Sequence, residues 1–276
     1  MRIKNKLSEM LMAASTLAAA TLTIGTLVFI VGFILVKGLP YIKPSLFSLT
    51  YNSDNVSLMP AMISTIIMTL FSLLIAAPLG IFAAIFLVEY AKRGNKMLGI
   101  IRMTTETLSG IPSIVYGLFG LLFFVTFLGW GFSVLAGAFT LAIMILPLIM
   151  RSAEEALKAV PDTYREGAFG LGAGKLRTVF KIILPPAIPG ILAGIILSIG
   201  RIVGETAALI YTAGTVAQIP TDPMQSARTL SVHMYALSSE GLHTNEGYAT
   251  AVILLLVVVL INTLSAKIAK RIGRIA

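Results

Sequence analysis

Long uncharged, apolar stretches alternate with short polar segments from one end of this chain to the other. Stretches long enough to cross a bilayer occur at 13–36, 59–88, 108–128, 132–150, 186–214 and 249–266, each close to the ~20 residues that a crossing helix requires. The third and fourth come from one uncharged run, 107–150. At about 1.5 Å per residue that run would extend roughly 66 Å, about twice the hydrocarbon thickness, so it must fold back. Gly129-Trp130-Gly131 is the natural turn, with Trp130 at the interface. Six helical spans are therefore expected. Pro78 and Pro147 fall inside the second and fourth, where neighbouring helices can satisfy the freed carbonyls. Ser109-Gly110-Ile111-Pro112-Ser113 predicts a break or kink where the third begins.

Composition agrees with a lipid solvent. Of 276 residues, 57% are hydrophobic and 12% charged, and the mean hydropathy is +0.93. No cysteine is present, which excludes disulfides, thiolate metal sites and cysteine nucleophiles together. The net charge of +9 would suggest a nucleic-acid partner in a soluble protein. Its placement gives another reason. The segments holding Arg2, Lys4 and Lys6, then Lys92, Arg93, Lys96 and Arg102, then Arg151, Lys158, Arg165, Lys175, Arg177 and Lys181, and finally Lys267, Lys270, Arg271 and Arg274, carry seventeen of the 21 basic residues. The positive-inside rule puts these segments, and both termini, in the cytoplasm. No nucleic acid is needed. The first apolar run, behind basic residues, is longer than a signal-peptide core, so an uncleaved first span of a multi-pass inner-membrane protein is expected.

The segment 161–185 is polar, basic and long for a connection between spans. Thr163 and Glu166 fit a capping box at a helix start, and Gly172 and Gly174 offer the positive φ that ends one. A second short amphipathic helix follows, with Leu176, Val179, Phe180 and Ile183 on one side and Pro185 as its stop. Gly167 and Gly170 each cost the first helix about 1 kcal/mol relative to Ala. Bare backbone there suits close approach by a partner surface. The stretch Gly170 to Lys175 is rich in glycine, but Phe169 and Leu176 stand where a phosphate-binding loop needs Gly and Ser or Thr. This chain is not expected to bind ATP.

Two charges fall inside the fifth span. Arg201 lies roughly 22 Å along a helix that starts at the cytoplasmic side, and Glu205 follows four residues on, on the same face. Each such charge costs about 2.5–3.5 kcal/mol at the bilayer centre on insertion scales, so both should face protein or water. A guanidinium is suited to hold an oxyanion by paired hydrogen bonds. Glu205 is expected to orient Arg201 and balance its charge, and a purely structural ion pair is the rival reading. Hydrolytic chemistry lacks its parts: no Asp lies in a span, His233 and His243 lie outside them, and no HExxH occurs.

Glu166, Ala168, Gly172, Ile182, Leu184 and Pro185 stand at the spacing E-x-A-x3-G-x9-I-x-L-P. This resembles the EAA loop of ATP-driven (ABC-type) import permeases at six of seven positions, with Gly167 where that family usually has Ala. SIGRIVGETAALIYTAG, GIPSIVYGLFG and TLSVHMYALSSEG are similar to the PstA-type permeases of phosphate importers, over nearly the whole chain. The family usually has Pro near Ala208. The resemblance implies an all-α polytopic permease of the type I, MetI-like importer architecture: one transmembrane domain over 1–276 with an ATPase-docking hairpin at 153–185. It implies inorganic phosphate as the substrate, with sulfate, molybdate or phosphonate as alternatives. The implied partners are a PstC-like permease, a pair of ATPase subunits that would carry ATP and Mg, and an extracytoplasmic phosphate-binding protein. Arg201 would lie on the phosphate path, and Arg151 would contribute at its cytoplasmic mouth unless it simply pairs with Glu155, i,i+4.

Overall fold

The computed structural model describes residues 2–92 and 96–272. Arg93 and Arg274, counted above in the charge asymmetry, lie outside the described residues, as do the side chains of Arg2, Lys4, Lys6 and Lys270. The described chain is all helical. In order come α1 (Arg2–Gly38), α2 (Met59–Ile85), α3 (Lys96–Gly110), α4 (Ser113–Gly120), α5 (Val134–Lys158), α6 (Asp162–Gly170), α7 (Lys175–Thr178), α8 (Leu184–Val203), α9 (Ala207–Ile210), α10 (Leu230–Glu240) and α11 (Thr244–Ile272). Wide π turns extend α2 over Phe86–Tyr90 and α4 over Leu121–Phe127, and another joins α7 to α8 over Val179–Ile183.

Five helical stretches among the described residues are long and apolar enough to cross a membrane: Glu9–Tyr41, Met59–Tyr90, Val134–Lys158, Lys175–Val203 and Thr244–Ala269. The pair Lys96–Gly110 and Ser113–Phe127, bent by 99°, supplies a sixth if it is one broken span. The expected break falls at Ile111-Pro112. Pro112 has no amide to continue the ladder, and the Leu108 carbonyl near the end of α3 instead accepts from the Ile111 amide (3.2 Å) and the Tyr116 hydroxyl (2.7 Å). The fold-back at 129–131 also forms, with Gly129 at φ +69° and Gly131 at φ +64°. Trp130 stacks on Phe124, ring centroids 5.3 Å apart.

α5 is the centre of the bundle. α2 and α8 pack along it, burying Met68, Ala76, Leu141, Ile145, Ile149 and Ile202 in one cluster. Buried hydroxyls are satisfied locally: Ser72 donates to the Met68 carbonyl (2.7 Å) and the Ala138 carbonyl (3.1 Å), joining α2 to α5. Such bonds matter where lipid supplies no drive for helices to associate. Close approach does the rest. A Cβ at Gly194 would lie 2.3 Å from the Ser152 Cβ, so only glycine lets α8 rest on α5 there. The first amides of α5 are taken by the segment before α10: Ser133 donates to Thr212 O, Val134 to Gln225 O and Leu135 to Pro223 O. By contrast, the apolar stretch of α1 buries nothing in this chain.

Two expectations are corrected. Pro185 does not stop the second hairpin helix; α7 runs through the π turn into α8 as one stretch from Lys175 to Val203. There the Leu184 amide reaches back to Val179 O, a wider turn that accommodates the missing Pro185 donor. The fifth span does not continue to Gly214, because α8 ends at Val203 and a short α9 follows. α10 starts inside the bundle: Leu230, Ser231, Val232 and His233 are buried, and the Leu230 amide donates to Thr65 Oγ1 of α2 (2.8 Å).

Candidate substrate pathway and docking hairpin

Two places carry the predicted residues. The first is the break at the far end of α8. Arg201 sits in the last turn of that helix, half-buried, and Gly204 caps it. Among the described residues no ion pair joins Arg201 to Glu205, which corrects the expectation of a same-face pair. The cause is the break itself, since the i,i+4 geometry needs a continuous helix. Glu205 is buried and turns to the next element, its carboxylate accepting from the Ala208 amide of α9 at 3.0 Å. Its backbone carbonyl accepts from the Ser231 hydroxyl at the start of α10.

Near Arg201 lies a residue that charge patterning did not single out. The guanidinium is close enough to the Tyr116 phenol to act on it electrostatically. Tyr116 stands in the G-I-P-S-I-V-Y-G block, and the neighbouring Gly117 allows α4 to meet α9, where a Cβ would come within 2.8 Å of Ala208 Cα. Arg201 and Tyr116 thus belong to the two broken spans, whose interruptions pack together.

Arg151 has the bland arrangement. It is 57% exposed and donates from Nε to Glu155 Oε1 at 3.1 Å. It borders a polar cavity of about 200 Å³ lined also by Arg102, Glu106, Glu154 and Lys158.

The second place is the hairpin. α6 starts behind Pro161 with no side-chain cap, so the Thr163–Glu166 capping box does not form. Its first turn carries Asp162 instead, which suits the positive end of the helix. Gly172 takes φ +78°, and the amides of Gly172 and Ala173 close the helix end onto Phe169 O and Ala168 O. Gly174 is extended rather than left-handed (φ −68°). Glu166, Gly167 and Gly172 face outward, and a Cβ at Gly167 or Gly172 would meet nothing within 4 Å. Ala168 is buried, while Ile182 and Leu184 pack with Ile183 and Ala187 against Leu157 and Ile85. One side of the hairpin therefore belongs to the bundle and the other is bare.

A third cluster was not visible in the pattern. Arg228 and His233 are buried beneath the segment after α1. The guanidinium lies 4.6 Å from the Tyr51 ring centroid, and His233 meets the same ring edge-on. Arg228 Nε and Nη2 and both imidazole nitrogens lack hydrogen-bond partners. The Val56 backbone approaches His233 without reaching hydrogen-bond geometry. Burial first, and then the Arg228 charge, lower the His233 pKa from 6.5 to about 3.

Apolar spans, a half-buried cation at a helix break and a bare-backed hairpin suit a membrane transport subunit. The chain belongs to the family of binding-protein-dependent transport system inner membrane components, whose profile matches residues 76–274. It is thus a permease subunit of an ABC importer. It is 38% identical to the probable ABC transporter permease protein YqgI of Bacillus subtilis, over 67% of this chain and 69% of that protein. It is 35% identical to the phosphate transport system permease protein PstA 1 of Mycobacterium tuberculosis, over 75% of this chain and 69% of that protein. The resemblance to PstA-type permeases therefore stands. Among solved structures, an inward-facing MetNI methionine ABC transporter shares the fold, with a TM-score of 0.59 at 21% identity over 76% of this chain and 91% of that one.

Proposed function

We propose that this chain forms one half of an alternating-access pathway that brings inorganic phosphate into the cytoplasm, with Arg201 holding the anion. The observation that carries this is the state of Arg201: a half-buried guanidinium at a break between helices, with no carboxylate paired to it among the described residues. Glu205 is engaged by the Ala208 amide. An unpaired, preorganised donor fork inside a membrane is costly unless an anion uses it. The PstA-named relatives support phosphate as that anion.

The other half would be a PstC-like permease, and an extracytoplasmic phosphate-binding protein would deliver the ion to the outer mouth. The glycine-rich turn does not fit a nucleotide, since Phe169 and Leu176 occupy its key positions and its glycines lie on an exposed hairpin. ATP and Mg accordingly belong to a pair of ATPase subunits gripping Glu166, Gly167 and Gly172 from the cytoplasm, where both termini also lie. Motion imposed there reaches the pathway directly, because the hairpin's second arm continues into the helix that bears Arg201. Arg151 would serve the inner mouth only by leaving Glu155.

The test is uptake of labelled phosphate by the complete complex. Arg201→Gln is expected to lower uptake at least roughly tenfold, as charge-assisted hydrogen bonds contribute about 1.5–3 kcal/mol, with membrane insertion unchanged. Normal uptake would refute the pathway role. Equal competition by sulfate, molybdate or phosphonate would refute phosphate as the specific substrate.

A further inference from the structure

Arg165 precedes Glu166 in the hairpin but faces the opposite way. Its side chain is 15% exposed, whereas Tyr164 and Glu166 on either side are open. Nε and Nη2 donate to Glu89 Oε1 at 3.1 and 2.7 Å, a charge-assisted pair to a carboxylate that is 8% exposed. Nη2 also donates to Leu157 O at 3.0 Å, and Nη1 donates to Val160 O at 2.8 Å and to Asp162 Oδ1 at 3.1 Å. Glu89 belongs to the π turn that ends the second span. Leu157 lies in the last turn of α5, where a helix leaves carbonyls without intrahelical partners, and Val160 follows just beyond the helix.

One guanidinium therefore binds three elements: the docking hairpin, the end of α2 and the end of α5. Lysine could not replace it, because a point charge reaches the carboxylate or the carbonyls but not all of them in a fixed plane. α8 packs against α5 and α11, and also against α2.

We propose that Arg165, seated on Glu89, is the joint that passes displacement of the hairpin to the second and fourth spans. It is a positioning residue for transport, distinct from the surface that would touch the ATPase. This rests on the docking role of the hairpin, and the experiment separates the two. Arg165→Lys and Glu89→Gln are made in the complete importer, reconstituted in liposomes with its binding protein. Copurification of the ATPase and phosphate moved per ATP hydrolysed are measured, with Gly167→Trp as the docking control. Both joint variants are expected to retain the ATPase while transport per ATP falls about fivefold or more, the lower end of ordinary coupling between sites. Unchanged transport per ATP in both variants would overturn the joint. Loss of the ATPase from both would also overturn it, by showing that the pair only holds the hairpin in shape. Retention of the ATPase by Gly167→Trp would instead count against the docking surface alone.

Discussion

The hairpin end of this molecule and its interior treat charge in opposite ways. At the hairpin end every buried carboxylate described above has a cation. Glu154 accepts from Arg102 at 2.7 Å and from Lys158 at 2.6 Å, and Glu89 holds Arg165. Further along the helices the cations are left over: among the described residues Arg201 has no carboxylate paired to it, and Arg228 rests on an aromatic ring. Paired charges fix the relative position of helices, which is what a segment receiving force requires. An unpaired guanidinium fixes little, but it offers a site to an anion. Under the proposed function, the difference separates the part that would transmit motion from the part that would meet the substrate.

The comparison can be broken in several ways. The largest effect after loss of Arg201 is expected on acidification. His233 has a pKa of about 3 in the folded chain against about 6.5 unfolded. The unfolded state therefore binds the extra proton first. Stability is complete above pH 6.5 and falls as pH drops toward 3, by up to about 1.4 kcal/mol per pH unit. Thermal melts of the detergent-solubilised protein over this window should flatten in His233→Gln, and an unchanged slope would mean that the imidazole is not buried neutral.

Next comes the division of labour at the break. If Glu205 acts as a cap, Glu205→Gln keeps an acceptor for Ala208 and should transport phosphate near the normal rate. Glu205→Ala should cost about 1 kcal/mol of stability, as for other lost caps. A transport-dead Glu205→Gln would show that its charge, and not its acceptor, is what counts. The smallest effect separates two ion pairs on α5. Glu154→Ala should lower the melting temperature measurably, since it releases two cations from a buried carboxylate. Arg151→Ala should leave the melting temperature unchanged, because that pair is exposed and screened. Equal shifts would remove the distinction between holding charges and solvated ones.

The features legible in the sequence are those written in local chemistry. The long run at 107–150 had to fold back, and Gly129 and Gly131 supply the positive φ for it. Pro112 breaks the third span because it lacks an amide, and Gly172 ends α6 because an L side chain would be strained at φ +78°. What the pattern misjudged depends on distant partners. Pro185 reads as a stop, yet a wider turn absorbs its missing donor and the helix continues. Arg201 and Glu205 share a face only if the helix between them is intact, and Gly204 with the Ala208 amide makes the break more favourable. Arg165 reads as one more solvated positive charge. Its value lies in Glu89, 76 residues away, and in two carbonyls that no spacing rule points to.

The unbroken helix from Lys175 to Val203 has a mechanical result. Arg201 lies about 39 Å along that shaft from its hairpin tip, at 1.5 Å per residue. Pivoting the shaft by only about 10° near the tip would swing the guanidinium by about 7 Å, more than the height of one helical turn. A small tilt imposed at the hairpin would thereby be magnified into a displacement of several ångströms at the cation.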